Sequence, residues 1–459
     1  MLIANFALLI EDFNNLITQS MTYEDAISYI YSFVDYERLT SPSYDKKERS
    51  PVLFKRFLRN IGSPEESFPV IHIAGTKGKG SVAMMLTFIL KEAGFRVGTY
   101  TSPHLTDVRE RIMLDGCPIE KEEFLNQFLE ILPELKKRKK ERTYRTVFEI
   151  LTAISLLYFK EKEVDIGIIE VGLGGRLDAT NVFEKSTAVI TNISLDHTKI
   201  LRNTLKEIAE DKSEIIKLDS LVVSSPQRED VMSVIREKAL ARNCKFLYTG
   251  DYKYTIKEKN ERGSVFDVKT KKREYRDIEL SLLGNFQIEN ALTAIGVVEG
   301  IRDLKIKRLK DLSEDVLYRG LASVKWKGRL EILRRSSYLV IDGAHNPYSM
   351  EVLAREVKDI FDYEKLILIL GVNRDKSVKE ILDAIVPLSD EIIFTRVNFP
   401  RSADPFVMRD MVKGRSPMVS KDIKEALGIA YGIATPKDLI LVTGSLYLVG
   451  EAIKVSSRE

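Results

Sequence analysis

Apolar residues fall into short strand-like runs at 70–74, 96–100, 165–171, 187–193 and 221–225. Between them, apolar positions recur at helical spacing over 81–93, 121–132, 147–160, 204–217 and 228–241. Strands alternating with helices in this way predict a parallel sheet covered by helices on both faces. The rhythm changes over 245–283, where short β-prone pieces at 245–248 and 252–256 predict a small antiparallel insertion. Helices near 287–303 and 307–317 follow. A second alternation then starts at 330, with strands near 338–342, 365–370, 391–395 and 438–442. The expected fold class is α/β, with a large domain over 21–323, a smaller one over 324–459, and the boundary near Val324.

The first twenty residues stand apart from this pattern. Residues 2–17 are apolar but interrupted by Glu11 and Asp12, and no basic stretch precedes them, which excludes a signal peptide or a membrane span. A fresh start at Met21 brings Thr22 and Asp25 into capping-box spacing. Residues 1–20 therefore read either as an upstream extension or as one more N-terminal helix.

Length and charge narrow the function classes. A chain of 459 residues exceeds one ordinary core. Its 71 basic and 68 acidic residues leave a net charge of +3, which argues against a nucleic-acid binder. Cys117 and Cys244 provide neither a disulfide framework nor metal-ligand spacing, so a reducing cytoplasm is the expected setting. The basic run 136–140 reads as a solvated helix end.

The strongest chemical signal is Gly75-Thr76-Lys77-Gly78-Lys79-Gly80-Ser81, set between the run 70–74 and the helical stretch after it. In a strand–turn–helix of this kind, backbone N–H groups and the helix N-terminus converge on an anion, and glycines admit a phosphate chain. Lys79 would reach the outer phosphates, and the Ser81 hydroxyl would bind Mg²⁺. The glycine spacing differs from the usual P-loop, yet nucleotide binding explains it better than a mere turn does.

Other candidates have ordinary alternatives beside them. Glu170 ends the run 166–169, where an α/β protein binds ligands, and reads as a Mg²⁺ ligand or as a cap or ion-pair partner. His104, His197 and His345 lie in loops after strands, whereas His72 lies inside one and reads as a satisfied core residue. Lys212 falls on the apolar side of its helix, so its amine is either paired in the core or snorkels outward. Arg329, just before the second alternation, suits a phosphate clamp, with Asp342 and His345 facing the same edge.

Taken together, the chain resembles the folylpolyglutamate synthases and dihydrofolate synthases, Mur-ligase-type enzymes that form amides at the expense of ATP. The resemblance spans about 21–451. It is carried by Gly75 to Ser81, Thr101-Ser102-Pro103-His104-Leu105, Glu110-Arg111-Ile112, Glu170 to Asn181, Asp196-His197, Ile208 to Lys217 and Gly284 to Ala291. Trp326 to Glu331, Asp342 to Pro347, Asp375-Lys376, Pro400-Arg401 and Val442 to Gly450 continue it. It implies a P-loop-ATPase-like N-terminal domain and a Rossmann-like C-terminal one. By resemblance, residues 75–81 hold the ATP phosphates, and Ser81, Ser102, Glu170 and His197 ligate Mg²⁺. Lys212 matches a lysine that the family carbamylates. Asn290 matches the adenine-contacting position, Arg329 the γ-phosphate clamp, and Asp342 and His345 the nucleotide- and catalysis-facing positions. Phe148 and Asp178 are similar to pterin-receiving residues.

The pattern departs from the family's at Lys77 (commonly Asn), at Phe286 (commonly His), around Lys212 at Asp211, Ser213 and Glu214, and at Ser377. The implied substrates are ATP, L-glutamate and a folate or dihydropteroate, acting on a cytoplasmic monomer without nucleic-acid or membrane partners. A Mur-type ligase for a peptidoglycan precursor is the alternative. A nucleotide switch would have no use for Arg329, Asp342 and His345.

Overall fold

The computed structural model describes residues 21–37, 51–140, 145–194, 204–303 and 312–457. The extension at 1–20 and His197 lie outside the described residues, as do residues 307–311 of the helix expected at 307–317, whose described part enters the helix Glu314–Ser323. The first described helix, Tyr23–Tyr31, opens on the expected capping box: Thr22 accepts from the Asp25 amide, and the Asp25 carboxylate accepts from the Thr22 amide.

The N-terminal sheet comprises β1 (Val70–Ala74), β2 (Val97–Tyr100), β3 (Ile112–Leu114), β4 (Cys117–Pro118), β5 (Ile166–Glu170), β6 (Thr187–Ile190), β7 (Leu221–Ser224) and β8 (Lys245–Tyr248). Their order is β4-β3-β2-β5-β1-β6-β7-β8, and pairing is parallel from β2 through β8. The alternating side chains of a strand point to opposite faces. Ile71 and Ile73 of β1 accordingly enter a core with the helices Lys79–Glu92 and Asn285–Asp303. Val70, on the other face, packs against the helix Val147–Glu161.

Two expectations change here. Residues 245–248 were expected in the antiparallel insertion but form the parallel edge strand β8, whose register continues the βαβ crossover from β7 through the helix Glu229–Ala241. The insertion itself is β9 (Lys253–Asn260), β10 (Gly263–Lys269) and β11 (Glu274–Leu280). The helix expected over 121–132 spans Lys121–Lys140, straight through Pro133. Ile131, Leu132 and Leu135 are buried in one core on both sides of the proline, and that burial outweighs the lost backbone bond.

The C-terminal sheet comprises β12 (Glu331–Arg335), β13 (Tyr338–Ile341), β14 (Leu366–Leu370), β15 (Glu391–Thr395), β16 (Met418–Ser420) and β17 (Leu439–Thr443), in the order β12-β13-β17-β14-β15-β16. Only the β12–β13 pair is antiparallel. The C-terminal ends of β1, β5, β13 and β17 all lead into loops that face one cavity between the two sheets. Among the described residues, no helix is long and apolar enough to cross a membrane.

Candidate active site

The turn after β1 is built for close approach. Gly75 has φ +154°, and a Cβ there would lie 1.8 Å from Thr191 Oγ1. The amides of Thr76 and Lys77 donate to Asn192 O, and Thr76 Oγ1 donates to Ser194 O, so the turn is tied to the loop after β6. Gly78, at φ +89°, is the N-cap of the helix Lys79–Glu92. A Cβ on Gly78 would lie 2.3 Å from Asn290 Oδ1, and one on Gly80 would lie 2.8 Å from the Trp326 ring. The turn is thus flanked by Asn290 and Trp326 and leaves its helix terminus toward the cavity.

Lys79 Nζ lies 3.6 Å from Glu170 Oε1 at the end of β5, and Glu170 Oε2 accepts from the Ser102 amide at 3.1 Å. Burial raises the Glu170 pKa, opposed by Lys79, the Ser102 amide and Arg329. Ser81 is buried at the first turn of the same helix. Lys212 is buried as well, with Nζ donating to Gly75 O at 2.8 Å, so the paired alternative holds and snorkelling does not. A Cβ on Gly175 would meet the Lys212 backbone at 2.8 Å, which seats the loop after β5 directly on the helix Leu205–Lys212.

In that loop, Asp178 is buried and lines the cavity beside Phe148. Its Oδ2 accepts from the Leu173 amide, and its Oδ1 accepts from the Thr180 amide and hydroxyl. The Phe148 ring fills the space where a Gly172 side chain would stand, 2.5 Å from that Cβ position.

The C-terminal sheet supplies the opposite wall. Arg329, His345, Asn373, Asp375, Lys376, Arg401, Ser445 and Tyr447 line the same cavity of about 620 Å³ as Lys79, Glu170 and Lys212. His345 Nδ1 donates to Gly343 O at 2.8 Å, which makes Nε2 the basic nitrogen of the ring. Asp342 does not line the cavity. Its carboxylate is buried behind Arg329 and accepts from the Leu330 and Ala344 amides. Burial raises its pKa, opposed by Arg329, those amides and Lys77. Asn290 likewise stands behind the turn, its Nδ2 bonded to Gln287 Oε1.

Several cavity residues had no role assigned from the sequence. Arg111 forms a bidentate pair with Glu37 at 2.9 and 2.6 Å and donates through Nε to His104 Nδ1. Burial alone would lower its pKa, but the Glu37 carboxylate holds it raised. Arg401 bonds Glu37 O and Asp375, joining the N-terminal segment to the C-terminal sheet. Arg111 and Arg401 both lie within motifs that carried the resemblance, whereas nothing local marks Glu37.

Glu170 and the hydroxyl-bearing Ser81 and Ser102 form an oxygen-donor group of the kind a small hard cation takes. The glycine cradle, with no room for side chains, fits a nucleotide phosphate chain.

Two family profiles match the chain: "Mur ligase middle domain" over residues 73–298 and "Mur ligase, glutamate ligase domain" over residues 328–446. A dihydrofolate synthase/folylpolyglutamate synthase of Bacillus subtilis is 32% identical over 435 residues, covering 94% of this chain and 98% of that protein. A relative from Haloferax volcanii, named a probable bifunctional folylpolyglutamate synthase/dihydropteroate synthase, is 32% identical over 440 residues. The chain spans only about half of that protein's length, 50%. Among solved structures, the folylpolyglutamate synthase of Thermotoga maritima superposes with a TM-score of 0.81 at 32% identity, covering 95% of this chain and 96% of that one. The Mycobacterium tuberculosis folylpolyglutamate synthase complexed with ADP gives 0.81 at 30% identity, covering 90% and 97%.

Proposed function

The chain belongs to the folylpolyglutamate synthase/dihydrofolate synthase family of Mur ligases, and from that premise we propose that it joins L-glutamate to the carboxylate of a folate, of dihydropteroate, or of both, consuming ATP. The observation that carries this reading is the single cavity in which a phosphate-type turn from one domain meets Arg329, His345, Lys376 and Arg401 from the other. In this reading residues 21–323 form the nucleotide-binding unit and residues 324–459 the glutamate-ligase unit. The enzyme works as a monomer in the cytoplasm.

A carboxylate is a poor electrophile, so the acceptor carboxylate first attacks the γ-phosphoryl group of ATP, and ADP leaves an acyl phosphate. Lys79, the turn amides and Arg329 stabilise the charge spread over the transferred group, which is chiefly positioning and electrostatics. The amine of L-glutamate then attacks the acyl carbon, and phosphate leaves. His345 Nε2 takes the proton that the amine releases, in the tautomer fixed by Gly343 O. Ser81, Ser102 and Glu170 would hold Mg²⁺, with His197 completing the set. When bound, that ion supplies countercharge for the phosphates. Asn290 borders the adenine end, Asp342 holds the loop that presents Arg329, and Phe148 with Asp178 receives the pterin.

Carbamylation of Lys212 is part of the proposal, supported by its burial and by its place beneath Gly75. A carbamate keeps one N–H to donate to Gly75 O and gains a carboxylate-like end. Intact-protein mass spectrometry with and without bicarbonate tests it.

The function is tested by phosphate release with ATP, Mg²⁺ and L-glutamate, comparing dihydropteroate with tetrahydrofolate. Turnover with both makes the enzyme bifunctional, and turnover with tetrahydrofolate alone makes it a tail-extending enzyme. Turnover with neither, from folded protein that binds ATP, overturns the reading.

A further inference from the structure

His72 is the one polar residue of β1, fully buried in an otherwise apolar strand, and the reaction described above does not use it. An aliphatic side chain would serve that strand at no polar cost, so what the imidazole adds is its hydrogen bond. Its Nε2 lies 2.9 Å from Thr180 Oγ1. The Thr180 hydroxyl has one proton, and it goes to Asp178 Oδ1 at 2.5 Å, since a carboxylate can only accept. The oxygen of Thr180 must then accept, and His72 must donate. This fixes the Nε2–H tautomer and leaves Nδ1 buried, with no hydrogen-bond partner among the described residues. Phe183 packs against the ring edge-to-face, with centroids 5.6 Å apart.

The chain of bonds runs from the strand that carries the phosphate turn to the carboxylate that faces the cavity. Gly75 follows β1 directly, and Asp178 is the loop residue whose two oxygens gather the Leu173 and Thr180 amides. We propose that His72 is a positioning residue for the acceptor substrate: through the Thr180 hydroxyl it fixes the Asp178 carboxylate and the loop 171–181 against the pterin. The inference rests on the reading of Phe148 and Asp178 as the acceptor end of the cavity. It adds a specific coupling between the nucleotide-bearing strand and that end.

Wild-type turnover with a folate is measured first, and its absence would remove the acceptor reading and this inference with it. Given turnover, His72→Leu and Thr180→Val each raise the acceptor KM by about tenfold, the scale of one lost hydrogen bond, while the KM for ATP stays within about twofold. His72→Gln, which presents an N–H where Nε2 stands, and Thr180→Ser restore most of the acceptor KM. The His72→Leu/Thr180→Val double variant is no worse than either single, because both break one chain. In ¹⁵N-histidine spectra of the wild type, His72 appears as the neutral Nε2–H tautomer. If His72→Leu fails to fold, the near-isosteric Thr180→Val decides. Equal rises in both KM values, an unaltered acceptor KM, or the Nδ1–H tautomer would each overturn the proposal.

Discussion

At the scale of single residues, two side chains allow opposite kinds of test. Lys79 acts through a charge placed 3.6 Å from buried Glu170 and beside the phosphate turn. Its replacement by alanine should lower kcat/KM by about 10²–10³, the 3–4 kcal/mol typical of one well-placed transition-state donor. Phosphate release should slow by that factor while the circular dichroism spectrum is kept. His72 instead affects stability through a proton it refuses. Burial, assisted by the nearby Lys217 ammonium, lowers its pKa from 6.5 to about 3. Below pH 6.5 the unfolded chain binds a proton that the folded chain does not, so stability falls as pH drops from 6.5 towards 3. At pH 5 this amounts to about 2 kcal/mol. His72→Gln cannot titrate, so urea melts at pH 7 and pH 5 should differ by about 2 kcal/mol less than in the wild type. Equal differences in the two proteins would sink the assignment. The candidates legible in sequence were those whose neighbours lie close along the chain, such as Lys79 and Ser81 after β1. The position of Asp342 behind Arg329, and the pairing of Glu37 with Arg111 across 74 positions, are set by packing that no local pattern encodes.

At the scale of elements, the parallel sheets were legible because their central strands are buried on both faces and read as nearly continuous apolar runs, broken only by His72 in β1 and by Glu170 at the end of β5. What the pattern mistook was pairing. Residues 245–248 have the β-prone character of the insertion next to them, and only the crossover from β7 makes them a parallel edge. β12 and β16 went unpredicted, being edge strands with mixed polarity or only three residues. The element with most bearing on function is the turn into the helix Lys79–Glu92. Gly78→Ala must place a Cβ at φ +89° and 2.3 Å from Asn290 Oδ1. The left-handed conformation alone costs about 1–2 kcal/mol, and Asn290 must also move. Thermal melts should show a matching loss of stability, and ATP should bind more weakly. Trp326, the sole tryptophan, packs on Gly80 and can report that binding by its fluorescence. Unaltered affinity would mean that the turn does not cradle the nucleotide.

At the scale of the whole molecule, the site exists only where the two domains meet, and one close approach in that meeting runs over Gly450, which does not itself line the cavity. Gly450 lies in the helix Leu446–Ser456, whose first turn supplies Tyr447 to the cavity. A Cβ there would lie 2.0 Å from Leu105 O, on the N-terminal domain's loop that also carries Ser102. The obstructing atom is backbone, so no side-chain rotation relieves it, and Gly450→Ala must push the helix and the loop apart. The phosphate turn, Asn290 and Glu170 all belong to the N-terminal side and keep their geometry. Arg329, His345 and Tyr447 retreat together. A misplacement of this kind, of the order of 1 Å, costs about 10²-fold in rate when two reacting groups come from opposite walls. Gly450→Ala should therefore lose about that much kcat while ADP affinity stays within about twofold. The control is Gly428→Ala, in the helix Ile423–Ile433, where a Cβ meets nothing within 4 Å. It should keep full activity and gain about 0.5–1 kcal/mol of stability from the better helix former. If Gly450→Ala weakens ADP binding as much as it slows turnover, the seam is not what assembles the site. If both glycine variants behave alike, the contact with Leu105 has no part in catalysis.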